Sequence, residues 1–340
     1  MRRPEPGASG LSGLREDDLV AAIESIVASN ADARLLVGIG DDAAVWQPSR
    51  SHRSVITSDA CIEGVHFTRE TMTLQDAGWR SMAANASDLA AMGARPVLAT
   101  VSLGVGPQST RDDILALYRG MADCARASGM AIAGGDLVRT PMLTIAITAV
   151  GEVRASNLKL RSGGYAGDVL AVTGELGASS AGLQIALGSA TLPHDVAQAA
   201  LLAHRHPLPR LREGAWLAAS RHVHAMMDCS DGLSTDLDRL CAASRVGAIV
   251  DAVPVAPSVL ALATMQGEDP IDAATRGGED FELLVAIAPR AFPHLAMRFE
   301  AHFGRPLRRI GTLTKAMGLV VLKGAEHVPL VRSGWDHFEA

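Results

Sequence analysis

The side chains best suited to chemistry in this sequence fall in six short acidic segments, each beside glycine or serine. They are Gly38-Ile39-Gly40-Asp41-Asp42-Ala43, Thr57-Ser58-Asp59, Asn85-Ala86-Ser87-Asp88-Leu89, Gly134-Gly135-Asp136, Asp228-Cys229-Ser230-Asp231-Gly232 and Gly277-Gly278-Glu279-Asp280. Glycine lets a backbone or a ligand come close, and a short aspartate presents oxygen to a hard cation. Two such carboxylates brought within about 4 Å repel by roughly 4 kcal/mol at an effective dielectric of 20, so a cluster of them calls for divalent metal. Magnesium takes one or two carboxylates, keeps waters and completes its shell with substrate phosphates. The set reads as an enzyme of phosphate chemistry that uses several magnesium ions.

Each segment also has a plainer reading. Gly38–Ala43 fits G-x-G-x-x-A after a strand, the dinucleotide fingerprint. Two aspartates there would occupy the place where a pyrophosphate needs bare amides, and Pro48 soon interrupts any helix, so that reading is set aside. Standing alone, the segment can also be read as a glycine-rich hairpin with surface aspartates. Asp88 lies among Met82, Ala83, Ala84, Ala86, Leu89, Ala90 and Ala91, with Asn85 on the same helical face. It is either a buried, partnered carboxylate or part of a solvent-facing stripe. Ser230 or Asp231 suits the cap of the following helix, which leaves Asp228 without an explanation. Asp236 and Asp238 read as a solvated helix face. His66 alone reads as structural or solvated.

Several chemistries are excluded by pattern. The lysines are Lys159, Lys315 and Lys323, and none sits in a P-loop, so a nucleotide would have to be held by magnesium, glycine amides and arginines. There is no H-E-x-x-H and no G-x-S-x-G. Cys61, Cys124, Cys229 and Cys241 make no CxxC pair, which points away from zinc and toward a reducing compartment. The net charge of −6 argues against nucleic acid as a partner. No leader or membrane-spanning run is visible, and a cytoplasmic protein is expected.

The elements that must position these motifs follow from periodicity. At 340 residues with 48% hydrophobic and only 4% aromatic content, the chain predicts about two domains packed with alanine and aliphatic side chains. Residues 1–12 read as a flexible tail, 13–152 as a first domain and 153–340 as a second, with the turn at Arg161-Ser162-Gly163-Gly164 near the boundary. Helices are expected over Glu16–Ala28, Trp79–Met92, Arg111–Ser128, Ala178–Leu187, Val196–His204 and Leu211–Ser220, and another through Leu233, Leu237 and Leu240. Strands are expected at Leu35–Ile39, Val55–Ser58, Pro96–Val105, Met130–Ala133, Met142–Val150, Asp168–Thr173, Ala225–Met227 and Phe281–Ala288, several of them ending at an acidic motif. Helices and strands mix without βαβ alternation, which predicts α+β domains.

In order and spacing the motifs resemble the thiamine-monophosphate kinase family. Its superfamily also holds aminoimidazole-ribonucleotide synthetase and selenophosphate synthetase. The resemblance runs from about Gly38 to Phe338 and rests on Gly38–Val45, Ser58-Asp59 with Glu63-Gly64-Val65-His66-Phe67, Asn85–Gly93, Gly134-Gly135-Asp136, Asp228–Gly232, Gly277–Glu282 and Gly334-Trp335-Asp336-His337-Phe338. It implies two mixed α/β domains, with N-terminal sheets pairing across a homodimer, and ATP-dependent phosphorylation of thiamine monophosphate to thiamine diphosphate. By motif it places Asp42, Thr57, Ser58, Asp59, Asp88, Asp136, Asp228 and Asp231 on magnesium, with Asp59, Asp88, Asp228 and Asp231 central to catalysis. Tyr118, Gly135, Asp136, Arg161 and Ser230 would meet ATP. His66, Glu279 and Trp335 would meet the thiamine phosphate, with Trp335 offering its ring to the cationic thiazolium. The sequence departs from the family at Cys61 and Ile62, inside the Asp59–His66 motif, and at Ser333, where the family often has lysine. Two other functions compete: a different ATP-using synthetase of the superfamily, and a non-catalytic module that binds divalent cations or nucleotide.

Overall fold

The computed structural model describes residues 16–28, 32–39 and 43–334. The chain divides into two compact units, one over the residues up to Ala86 and over Pro96–Glu152, the other over Ser87–Arg95 and from Val153 onward. Asp42 and Trp335 lie outside the described residues.

In the first unit, α1 (Glu16–Val27) buries Leu19, Ile23 and Val27, spaced four apart on one face. The short pair β1 (Leu35–Val37) and β2 (Val45–Trp46) is antiparallel. Then come β3 (His52–Ile62), α2 (Leu74–Ala91, of which Ser87–Ala91 belongs to the second unit), β4 (Arg95–Val105), α3 (Arg111–Ser128), β5 (Ala131–Arg139) and β6 (Thr144–Arg154). They make a four-stranded sheet in the order β3-β6-β4-β5, with β4 and β5 parallel. Helix α2 begins a turn before the expected Trp79. Thr73 and Asp76 exchange side-chain and backbone hydrogen bonds at 3.0 and 3.1 Å, a reciprocal cap visible as T-x-x-D in the sequence. Thr110 and Asp113 cap α3 in the same way, and Gly129 ends it in the left-handed region. A Cβ on Gly78 would run into the carbonyl of Leu117, and one on Gly120 into that of Gln75. Backbone therefore packs on backbone where these helices meet, an approach that only glycine permits at positions 78 and 120.

The second unit contains β7 (Val169–Val172), α4 (Ala178–Ala186), α5 (His194–Arg205), α6 (Leu211–Ala218), β8 (Val223–Cys229), α7 (Leu233–Ser244), β9 (Gly247–Val250), α8 (Pro257–Gln266), α9 (Pro270–Arg276), β10 (Glu282–Ile287), α10 (Phe292–Phe303), β11 (Arg308–Thr314), β12 (Leu319–Lys323) and β13 (Glu326–Pro329). Its seven-stranded sheet runs β13-β12-β9-β11-β7-β10-β8. Only the β12–β9 ladder is parallel. Both faces are covered. On one, Leu170, Val172, Met227 and Leu284 pack with α4, α7 and α8; on the other, Ala171, Met226, Leu283 and Val285 pack with Phe299 of α10, Leu217 of α6 and Ala90 of α2. All six residues of β10 are buried, as a strand covered on both faces demands. The architecture is α+β in both units, as the mixed pattern predicts. Among the described residues no helix is long and apolar enough to cross a membrane.

Candidate active site

In the first unit the Thr57–Asp59 and Gly134–Asp136 motifs lie inside strands, whereas the sequence places them at strand ends. Thr57, Ser58 and Asp59 are in the middle of β3, where Thr57 is half-buried and Ser58 and Asp59 are exposed. Ser58 donates through Oγ to the carbonyl of Ile147 at 3.1 Å, so its hydroxyl is fixed by β6. Gly134, Gly135 and Asp136 continue β5 past the expected end at Ala133, and a register shift in the β4–β5 ladder falls at Ala99/Thr100 just before them. Gly135 lies opposite Val101, and a Cβ there would run into the Val101 carbonyl. Its glycine is thus required by strand packing, whatever else it contacts. Asp136 is exposed, with one carboxylate oxygen accepting the amide of Leu137 at 2.9 Å.

His66 follows β3 in a tight turn, and its Nδ1 accepts the amide of Ile62 at 3.1 Å. That bond assigns the ring proton to Nε2. Arg69 in the same segment pairs with Glu63 at 2.7 Å and Asp113 at 3.1 Å. Tyr118 is on the buried face of α3, 4% exposed, and burial pushes its phenol up.

The second unit holds the more elaborate arrangement. Asp228, the penultimate residue of β8, is 2% exposed and accepts the hydroxyl of Ser87 at 2.7 Å. Burial, and next the charge of Asp88, push its carboxyl up, while Ser87 and Arg161 pull it down. Asp88 itself is half-buried. Arg161 is exposed in a short 3-10 turn, Arg161–Gly163, and its carbonyl accepts Ser244 Oγ at 2.6 Å.

One expectation is overturned here. Asp236 reads from the sequence as a solvated helix residue, yet it is fully buried in the first turn of α7. Its Oδ2 accepts the amides of Ser230 and Asp231, both at 3.0 Å. Arg239, one turn later, pairs with Asp231 and, at 3.2 Å, with Asp236. Asp236 therefore shapes the loop that presents Ser230 and Asp231. Periodicity misses it because a carboxylate that reaches back to amides five and six residues earlier leaves no mark in an apolar repeat.

The Gly277–Asp280 loop closes on the same place. Glu279 donates its amide to the carbonyl of Ser230 at 2.7 Å, and Phe281 donates its amide to that of Cys229 at 2.9 Å. Both residues sit in the left-handed region, at φ 66° and 51°. Side chains rarely accept that backbone, and held strain of this kind gathers at functional sites. Asp280 turns away from Glu279 and accepts the amides of Gly177 and Ser179 at 2.6 and 3.3 Å, at the start of α4. Below the loop Glu282 is buried, bound by Arg210 at 2.5 and 2.9 Å and by the Thr173 hydroxyl at 2.6 Å, with Arg305 3.8 Å away. Asp280 and Glu282 fall inside the Gly277–Glu282 motif without an assigned role, and Asp236 and Arg210 lie outside the residues the sequence assigns to the site.

Among the described residues no three of His, Cys, Asp and Glu are gathered closely enough to hold a metal ion by themselves. Magnesium does not require that, since it commonly binds one or two carboxylates and fills its shell with water and phosphate. The pair Asp88 and Asp228 fits it: two hard oxygen donors, one buried, each raising the cost of the other's charge.

Residues 40–153 match the family model of the AIR synthase related protein N-terminal domain, and 165–322 that of its C-terminal domain. A thiamine-monophosphate kinase of Synechococcus elongatus is 38% identical over 305 residues, which is 88% of this chain and 91% of that protein. The crystal structure of thiamine-monophosphate kinase from Stenotrophomonas maltophilia is 34% identical, with a TM-score of 0.79, covering 91% of this chain and 96% of that one. AaThiL complexed with AMPPCP and TMP is 25% identical, with a TM-score of 0.73 and 99% of each chain covered.

Proposed function

Because the chain belongs to the AIR synthase related family, and within it to the thiamine-monophosphate kinases, we propose that it phosphorylates thiamine monophosphate to thiamine diphosphate with ATP as donor. The structural neighbour complexed with AMPPCP and TMP supports both co-substrates. On this chain, the observation that carries the reading is the joint between the two loops. The Ser230–Asp231 loop and the Glu279 loop are hydrogen-bonded to each other, so a group that binds nucleotide and metal is fixed relative to one that binds acceptor.

The acceptor oxygen belongs to a phosphate monoester already largely ionised near neutral pH, so no strong protein base is required. The task is to hold two highly charged phosphates in line, which favours direct transfer over a phosphoenzyme. Arg161, exposed on its short turn, is suited to a phosphate oxygen, and Ser230 to the nucleotide beside it. Asp59, Asp88, Asp228 and Asp231, with Asp42, Thr57, Ser58 and Asp136, would hold magnesium, which when bound neutralises phosphate charge. Gly135, Asp136 and Tyr118 complete the proposed nucleotide contacts, and His66, Glu279 and Trp335 those to thiamine phosphate. For Tyr118, burial inside α3 favours a packing role over a direct one.

We further propose a homodimer joined through the sheet of the first unit. Ile56 and Val138, 68% and 47% exposed on strands of that sheet, are apolar surface of the kind a partner covers. Cys61, Cys124, Cys229 and Cys241 are buried and make no disulfide, which accords with a reducing, cytoplasmic setting.

The test is a coupled assay for ADP with product analysis. ADP formation should require thiamine monophosphate, should fail with unphosphorylated thiamine, and should be matched by thiamine diphosphate. ATP turnover that ignores the acceptor, or a product other than thiamine diphosphate, would point to another reaction of the superfamily. No turnover at all would point to a binding module.

A further inference from the structure

We propose that the first turn of α7 fixes the C-terminal segment of the chain against the Ser230–Asp231 loop, and that Thr235 is a positioning residue for recognition of the acceptor. Ser234, Thr235 and Asp236 are three consecutive polar residues with no exposed surface. Burial of that kind is costly unless each group is partnered. Asp236 spends its carboxylate on the amides of Ser230 and Asp231. Its two predecessors turn to the other end of the chain. Ser234 Oγ accepts the amide of Ser333 at 3.3 Å, and Thr235 Oγ1 accepts the amide of Gly334 at 3.1 Å.

Gly334 makes the contact tighter than hydrogen bonds alone would. A Cβ at that position would run into the carbonyl of Asp231 and crowd Thr235 Oγ1. The segment thus lies with its backbone directly on the loop, a closeness only glycine allows. It arrives from β13, whose last residue is Pro329, with Leu330 still bonded to the carbonyl of Leu319 at 3.0 Å. Between that point and Gly334 the chain leaves the sheet edge and reaches α7. One helical turn therefore sets two backbones in register, the loop at 230–231 and the segment at 333–334.

This inference rests on the proposed function, in which the next residue, Trp335, meets the thiamine. Under it, loosening the segment should weaken the acceptor and spare the nucleotide. The measurement is steady-state kinetics for both substrates on Thr235→Val, Thr235→Ser and Gly334→Ala. Thr235→Val and Gly334→Ala should each raise KM for thiamine monophosphate about five- to tenfold, on the scale of one lost hydrogen bond. KM for ATP should stay within about twofold of the parent, and Thr235→Ser, which keeps the hydroxyl, should behave as the parent does. Gly334→Ala removes no buried hydroxyl, so it reports even if Thr235→Val fails to fold. Equal changes in both KM values, a silent Thr235→Val, or a Thr235→Ser as impaired as the valine would each overturn the proposal.

A second readout does not depend on activity. Limited digestion with trypsin should release residues 333–340 by cutting after exposed Arg332 faster in Thr235→Val and Gly334→Ala than in the parent. Faster release in a protein whose parent never uses thiamine monophosphate would leave the docking intact and sink the proposed function instead. Unchanged release would sink the docking.

Discussion

Glu279 and Ser230 are joined backbone to backbone at 2.7 Å, and Glu279 makes that bond from the left-handed region. The bond and the strain belong together: the loop can reach the Ser230 carbonyl only by turning at a residue that would prefer not to turn there. A left-handed residue with a side chain costs about 1–2 kcal/mol, and the second one, Phe281, is buried. Function is then expected to oppose stability at position 279.

Glu279→Gly tests this directly. Glycine accepts φ 66° without penalty, though it adds freedom to the unfolded chain. The variant should unfold at the parent's stability or up to about 1 kcal/mol above it, while losing turnover with thiamine monophosphate. Denaturant melts and the ADP assay on one preparation check both halves. A destabilised variant that keeps its activity would reverse the assignment.

Asp228→Asn should abolish turnover and leave the fold intact. The carboxylate is buried beside Ser87 and disfavoured by Asp88, so a neutral amide of the same shape removes a cost. In buffer without divalent cations the melting temperature should be unchanged or higher. The rise in melting temperature that magnesium and ATP give the parent should shrink or vanish, because ligand binding to the native state supplies it. A variant that still gains the full rise would remove Asp228 from the metal set.

The pH dependence of stability should carry the signature of Asp280. Burial pushes its carboxyl from the ordinary 3.8 to about 8, even against the two amides at the start of α4. The folded protein then holds a proton that the unfolded chain has released throughout that interval. Stability from this group is present below about pH 4 and is lost as pH rises toward 8. Asp280→Asn cannot ionise and keeps an acceptor for Gly177, so its stability should fall less steeply across the same window. Parallel curves for parent and variant, from urea titrations at several pH values, would refute the assignment.

Arg210→Ala should be among the most destabilising single changes in the second unit. It leaves Glu282 buried with only Thr173 and a more distant Arg305, and removal of one partner from a buried pair costs about 3–5 kcal/mol. The lower end is expected, because Arg305 remains at 3.8 Å. Replacing Glu282 with Gln should cost less, because the arginine charges it leaves behind keep some contact with solvent and still face Glu213. The two unfolding free energies, compared at one pH, settle the order.

Much of the architecture was legible in the residues. Arg111–Ser128 has the predicted bounds because its cap and closing glycine are both local signals. The strand around Phe281–Ala288 was legible because apolar residues run unbroken from Leu283 to Ala288. Strand extent around the acidic motifs was not: β3 and β5 continue through Asp59 and Asp136, since pairing with neighbours outweighs the turn tendency of Asp and Gly. The candidate site was legible in its motif residues and hidden in its supports. Asp228 and Glu279 stand in short motifs with glycine and serine. Glu282 and Arg210 earn their places through partners distant in sequence, and Asp236 through amides of the loop before its helix, none of which an apolar pattern along the chain records.

The strand order of the second unit has a bearing on how the protein comes to exist. β8, which carries Asp228, is the last strand of its sheet and pairs only with β10, while β7 lies on the other side of β10. A ribosome delivers β7 and β8 well before the strand that must separate and join them. Until Glu282–Ile287 emerges, both expose unsatisfied edges, and Asp228 has no ladder to hold it. Nascent chains halted between Cys229 and Glu282 should therefore be the species most dependent on chaperones.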